Sequence, residues 1–360
     1  MGRAVRRLTA AAAGAAALAL ATAPLAGAKA AGGAPPPPRA PTPAPGTGAL
    51  AGWATELGST DDGMPPGVVN GPCTPSPAHP YPVVLVHGTF ANEAQSWQTL
   101  APMLSDAGYC VFGLDYGASA WTTYSHDHTY AVDYVEHSAA QLEAFVRSTA
   151  LPDTFEPVGN AAGYAAGSHP AQVDLVGHSQ GGMMPRYLVD TTGDAAYPGL
   201  GDASQVHTLV GLAPSNHGTT SGGLVTLFRT LADLSGNPDA PYTFASSGGC
   251  GACGEQEAGS PFLTALDARP DAAGVDYYVI ESTHDEVVTP YTSAFLPPSE
   301  NVVNVTLQDQ CPTDLTEHLG ITYDPVALAD VMAALGNNSG RARPLPAPPC
   351  PAVVAPLLSG

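Results

Sequence analysis

Residues 173–182 read VDLVGHSQGG, and the next seven are MMPRYLV. An aliphatic run at 173–176 enters Gly177-His178-Ser179-Gln180-Gly181, and the residues beyond suit a helix. This is G-x-S-x-G between a buried strand and a helix. Small residues at 177 and 181 allow a tight turn that pushes the Ser179 hydroxyl off the end of the strand, beside the unpaired N–H groups of a helix start. Ser179 is the candidate nucleophile. Pro185 stands late for a first helical turn, so a bend is expected there. Met183-Met184 is read as packing on the helix underside.

Buried runs alternate with amphipathic segments on both sides of this turn. VVLV at 83–86 precedes a helix expected near 96–107, and CVFGLDY at 110–116 precedes one expected near 130–149. VHTLVGLA at 206–213, DYYVIES from 276 and NVVNVTL from 301 continue the pattern. The last helix is marked by Asp324 as N-cap, Pro325 at its first position and Gly336 beyond its last apolar turn. Strands without polar alternation, interleaved with helices, specify an α/β domain with a mainly parallel central sheet and flanking helices. The span 215–265 breaks the rhythm. LVTLFRTLADL at 224–234 reads as a helix bracketed by Gly- and Ser-rich stretches, a lid-like insertion or a surface decoration.

Serine needs a base to take its proton, and the acyl oxygen needs donors where negative charge develops. After the strand at 83–86 comes His87-Gly88-Thr89-Phe90, a loop that can bring the Thr89 backbone N–H beside that of Gln180. These two amides form the candidate oxyanion hole, with the Thr89 hydroxyl as a third donor. With the nucleophile on a strand-to-helix turn of such a sheet, acid and then histidine follow it on loops after late strands. His318, in CPTDLTEHLGI, fits the base. His217 follows the strand after the turn too closely for an acid to intervene and is assigned to structure or the site wall. DYYVIESTHDEVVTP offers Glu281, Asp285 and Glu286. Asp285 lies just past the strand and is the candidate acid, orienting His318 and stabilising the imidazolium. His126-Asp127-His128 reads as a solvent-exposed polar loop rather than a metal site, and no cofactor is required.

Residues 1–28 read as a secretory signal: Arg3, Arg6 and Arg7 precede an Ala/Leu-rich run ending in Ala26-Gly27-Ala28. A retained membrane anchor is the competing reading. Residues 29–60 form a Pro/Ala-rich leader, 61–340 the folded domain, and 341–360 a Pro-rich tail. The chain has 360 residues and a formal charge of −21. Removing residues 1–30 leaves seven Arg, no Lys and 32 acidic residues, a charge of −25. Nucleic acid is therefore excluded as a partner, and so is a polybasic membrane contact. The six cysteines all follow the signal, which suggests three disulfides in an oxidising compartment. Local closure favours Cys73–Cys110, Cys250–Cys253 and Cys311–Cys350. Cys250 and Cys253 have no second ligand pair at zinc spacing.

Taken together, VVLVHGTFANEAQSWQTLAPMLSDAGYCVFGLDYG, VDLVGHSQGGMMPRYLV, LVGLAPSNHGTT, STHDEVVTPYTSAF and QDQCPTDLTEHLGI resemble the secreted bacterial class 2 lipases, triacylglycerol lipases of the α/β-hydrolase superfamily. The resemblance spans roughly 70–336. It implies hydrolysis of carboxylic esters, especially acylglycerols, by Ser179, Asp285 and His318 with Thr89 and Gln180 as oxyanion amides. It also implies a lipid or ester substrate, contact with a lipid–water interface, and no obligate protein partner. A short-chain carboxylesterase or polyester hydrolase would use the same triad. A secreted binding domain on the same fold would lack turnover.

Overall fold

Strands as uniformly apolar as VVLV must be covered on both faces, and β1 (Val83–Val86) is buried throughout. In the computed structural model, which describes residues 63–119, 129–151, 172–190, 205–235 and 249–350, β1 pairs with β2 (Val111–Leu114) and β3 (Val173–His178). The sheet continues through β4 (Val206–Leu212), β5 (Asp276–Glu281) and β6 (Val302–Thr306). All five pairings are parallel, in the order β2-β1-β3-β4-β5-β6. The described residues fall within one unit, Pro41–Gly360. The signal run, the leader and His126-Asp127-His128 lie outside the described residues.

Successive strand side chains alternate between two apolar layers. Val84, Val86, Phe112 and Leu175 share one with α3 (Val135–Phe145) and α4 (Gln180–Val189), including Met183 and Met184. Val83, Leu85, Val111 and Val176 share the other with α1 (Glu93–Trp97), α2 (Leu100–Ala107) and α9 (Pro325–Leu335). Between α4 and α9, the chain forms α5 (Ser221–Ser235), α6 (Gly251–Glu255), α7 (Pro261–Asp267) and α8 (Leu307–Gln310).

Two helices differ from the sequence reading. The helix expected near 96–107 is divided into α1 and α2. Asn92 caps α1, accepting from Gln95 N at 2.8 Å. Pro102 sits in the first turn of α2, where no N–H is needed; in one continuous helix its ring would clash with the carbonyl of Gln98. The helix expected near 130–149 starts only at Val135 and ends in a π-helical turn, Val146–Ala150. Ala131, at φ 57°, and Val132 donate their N–H groups to Tyr116 O and Gly117 O, which holds 131–132 outside the helix. At the last helix, Asp324 Oδ1 accepts from Val326 N and Ala327 N, each at 2.8 Å.

Disulfides join Cys73 to Cys110, Cys250 to Cys253 and Cys311 to Cys350. The last anchors the start of the Pro-rich tail, whose Ala342 and Leu345 pack on the α9 side of the core.

Arg186 in α4 is 2% exposed and faces three carboxylates: Asp190 (3.4 Å), Asp267 (3.6 Å) and Asp271 (3.9 Å). It also donates to Asn216 O at 3.0 Å. Arg186 therefore fastens the helix behind Ser179 to α7 and to the start of the insertion. Burial pushes Asp190 up to about 6, against the pull of the guanidinium. Arg186→Ala leaves Asp190 buried without its cation and is expected to cost about 3–5 kcal/mol, measured by urea unfolding. A loss below about 1 kcal/mol, the range of an exposed ion pair, would refute the bracing role.

Candidate active site

β3 delivers Ser179 at φ 55°, ψ −123°, outside the regions that L-residues prefer. Such a sharp turn requires close backbone approach. A Cβ on Gly177 would lie 1.8 Å from Gly181 O, and one on Gly181 would lie 2.2 Å from Val86 O. The two glycines singled out in the sequence are thus obligatory at this turn. Ser179 N donates to Leu212 O at 2.9 Å and Ser179 O accepts from Gly182 N at 2.9 Å, locking the turn between β4 and α4.

The structure brings Asp285 and His318 together: Nδ1 of the ring lies 2.6 Å from Asp285 Oδ2, and both residues are buried. The other carboxylate oxygen, Oδ1, accepts from Val287 N and Val288 N, each at 2.7 Å. His318 is brought to the Ser179 turn through His178, whose Nε2–H donates to His318 O at 2.8 Å with ring centroids 4.8 Å apart. Among the described residues no hydrogen bond joins Ser179 Oγ to His318; such contacts often tighten only with substrate bound. His178 itself is no base, because burial and the neighbouring His318 hold its pKa well below the ordinary 6.5. His217 is engaged at both ring nitrogens, by Asp267 Oδ1 and by Phe295 O, each at 2.9 Å.

Burial pushes the His318 pKa down, but the charge and hydrogen bond of Asp285, with Glu286 and Glu317, outweigh it and hold the ring above its ordinary 6.5. A base must be neutral to take a proton, so the acid limb of kcat/KM is expected above 6.5. Glu286 is itself pushed up to about 7, mainly by burial. Removing its charge in Glu286→Gln lowers the His318 pKa, so the limb should move to lower pH by about half a unit. A pH–rate profile checks this; a limb that stays in place or moves up would contradict the arrangement.

Thr89 and Gln180 are brought together through their side chains. Neither backbone N–H has a hydrogen-bond partner among the described residues, so both are available to a developing oxyanion. The Thr89 hydroxyl is a correction. It donates to Gln180 Oε1 at 2.7 Å, so its proton is committed to holding the pair together and is not a third oxyanion donor. Beneath the loop, burial holds His87 at about 4, so the ring is neutral, and its Nδ1–H donates to Gly88 O at 2.9 Å.

A strand-turn-helix serine, a buried His–Asp pair and two open amides are gathered at one end of a parallel sheet as a candidate nucleophile site. A family model described as Lipase (class 2) matches residues 80–151 and 164–328, well over half of the chain. The chain belongs to the class 2 lipases. Its six-stranded parallel sheet with helices on both faces is the α/β-hydrolase fold. No curated protein matches the sequence. Among solved structures, lipase B of Aspergillus fumigatus is similar with TM-score 0.50 and 19% identity, over 76% of this chain and 56% of that one. This chain thus spans little more than half of that lipase. A monoacylglycerol lipase of Paleococcus ferrophilus (TM-score 0.39, 16% identity, 65% and 86% covered) and esterase B of Lactobacillus rhamnosis (0.44, 12%, 79% and 90%) are also similar. At these identities the likeness is one of fold alone.

In this class 2 lipase the insertion contributes to the site. Gln256, just past α6, donates from Nε2 to Thr89 Oγ1 at 2.9 Å and to Gln180 Oε1 at 3.3 Å. Ser215 Oγ donates to Gln256 Oε1 at 2.9 Å. A buried amide thus ties both candidate oxyanion residues to the insertion. Sequence reasoning missed Gln256, since a lone Gln in a Gly-rich stretch carries no motif. The His178 bond to the His318 backbone was missed because it joins segments 140 positions apart, which residue order does not relate.

Proposed function

We propose that this class 2 lipase is a secreted serine ester hydrolase, with Ser179 as nucleophile, His318 as base and Asp285 as its orienting carboxylate. Its substrates are acylglycerols or other lipid carboxylic esters. The observation that carries the reading is the 2.6 Å His318–Asp285 contact, at the sheet end where Ser179 occupies its positive-φ turn. The carbonyl accepting from His178 belongs to His318 itself, so ring and turn are held in one unit.

His318 Nε2 takes the Ser179 proton as Oγ attacks the ester carbonyl, and the N–H groups of Thr89 and Gln180 receive the oxyanion. The tetrahedral adduct collapses, His318 returns the proton to the leaving alcohol, and an acyl-Ser179 ester remains. Water, deprotonated by His318, then attacks the acyl carbon; the second adduct expels Ser179 Oγ, which recovers its proton from His318, and the carboxylic acid is released. Asp285 stays ionised, holding Nδ1–H so that Nε2 is the free acceptor. Neither metal nor cofactor enters these steps. Three disulfides favour an oxidising compartment, which supports export.

A fluorophosphonate probe tests the assignment. Stoichiometric labelling of the peptide containing Ser179, lost in His318→Ala, is expected. Labelling elsewhere, or none in the native protein, would defeat it and favour a binding domain. Rates on short and long p-nitrophenyl esters and on a triolein emulsion then separate a lipase from a short-chain esterase or polyester hydrolase.

A further inference from the structure

Glu281 is the last residue of β5, four positions before Asp285, and its side chain is completely buried. Its Oε1 accepts from Ser282 N at 2.7 Å. Oε2 is sealed from solvent and accepts from no donor. The carboxyl is in hydrogen-bonding contact with Asp285. The charged groups on its own segment are Asp285 and Glu286, and across from these, on the segment before α9, stand His318 and Glu317. No Lys or Arg is among them. A buried carboxylate facing a second carboxylate, with no cation to pair, cannot remain ionised. Burial, and then the Asp285 charge, push Glu281 well above the usual carboxylate range.

The acceptor count at Asp285 says where the Glu281 proton goes. A carboxylate offers about four lone-pair sites. Two on Oδ1 are filled by Val287 N–H and Val288 N–H, and one on Oδ2 by His318 Nδ1. The remaining site is on Oδ2. We infer that Glu281 is a positioning residue that stays a neutral carboxylic acid and donates its proton to Asp285 Oδ2, fixing the carboxylate that orients His318. With that lone pair occupied, the Asp285 carboxylate is held in one orientation toward the imidazolium formed during attack. Its charge is met by a neutral donor at a position buried from solvent. The inference rests on the triad reading proposed above.

Two variants separate donation from mere filling of space. Glu281→Gln keeps an N–H donor toward Asp285 and an acceptor for Ser282 N but has no proton to lose; Glu281→Leu removes both. Loss of a hydrogen bond to a charged group predicts a fall in kcat on the order of 10- to 100-fold in Glu281→Leu with KM little changed. Glu281→Gln should recover most of that loss. Infrared difference spectra of the intact enzyme should show a protonated carboxylic acid band that persists above the range near 8 where Glu93 and Glu255 ionise. That band should be missing from Glu281→Gln. The alkaline fall of kcat, caused when Glu281 ionises against Asp285, should also be missing from that variant. The inference is overturned if the band survives in Glu281→Gln, or if Glu281→Gln is as slow as Glu281→Leu. Should Glu281→Leu fail to fold, the spectrum and pH profile of Glu281→Gln still decide. Fluorophosphonate labelling of Ser179 is run on the same preparations. Its absence in the native enzyme would sink the triad itself, whereas normal labelling with an unchanged band sinks only the role of Glu281.

Discussion

Replacing Ser179 with Ala is expected to lower kcat on a p-nitrophenyl ester by about 10⁴- to 10⁶-fold, leaving only what the oxyanion donors and substrate binding supply. The fold should persist. Alanine at φ 55° is no more strained than serine, and the contacts holding the turn are backbone ones, from Ser179 N to Leu212 O and from Gly182 N to Ser179 O. An unchanged unfolding midpoint with lost turnover is therefore the expected pair of results. Activity within tenfold of the native enzyme would remove Ser179 from the chemistry and take the proposed acyl intermediate with it.

The second large effect is expected from Asp285→Asn, about 10⁴-fold in kcat, and the reason lies in which oxygen is free. Oδ1 accepts from two backbone N–H groups, Val287 and Val288, so in the variant the amide oxygen must remain there. The amide NH₂ is then forced into the place of Oδ2, facing His318 Nδ1 at the former 2.6 Å contact. Two donors cannot share that line, so the ring adopts the tautomer with its proton on Nε2 and can no longer accept from Ser179. Fluorophosphonate labelling should slow in parallel with turnover while thermal stability changes little. Near-native kcat in a folded variant would show that His318 is oriented by something other than Asp285.

Much of this site was legible from residue order. The Gly177–Gly181 spacing around Ser179 encodes a close backbone approach, and Asp324-Pro325 encodes a helix start, because both are local demands that residue type alone satisfies. The His318–Asp285 meeting followed from the order of late strands in a parallel sheet, where all C-terminal ends share one edge. The division of the helix at 96–107 was missed although Pro102 announced it, since an amphipathic pattern runs across the break without interruption. The late start of α3 was not local at all. It depends on carbonyls of Tyr116 and Gly117, contributed by the end of another segment.

The polar connections behind the reacting atoms were not legible. Thr89 was read as a donor to substrate because its hydroxyl has no assigned partner in a linear chain. In the folded protein Gln180 is 2.7 Å away and takes that proton. Gln256 lies 167 positions from Thr89, inside an insertion without motif or periodicity, and only the packing of α6 against the oxyanion loop gives it a role.

Strand composition, turn glycines and the order of Ser179, Asp285 and His318 were determined by the sequence alone, because each is a requirement of backbone geometry or chain order. The commitment of each proton, from Thr89 to Gln180, from His178 to the His318 carbonyl and from Glu281 toward Asp285, was decided only by tertiary structure. Hydrogen bonding acts over about 3 Å; Thr89 and Gln180, 91 positions apart, and His178 and His318, 140 apart, reach that distance only after both apolar layers have closed on the sheet. Glu281 meets Asp285, four residues on, only once the turn after β5 is folded.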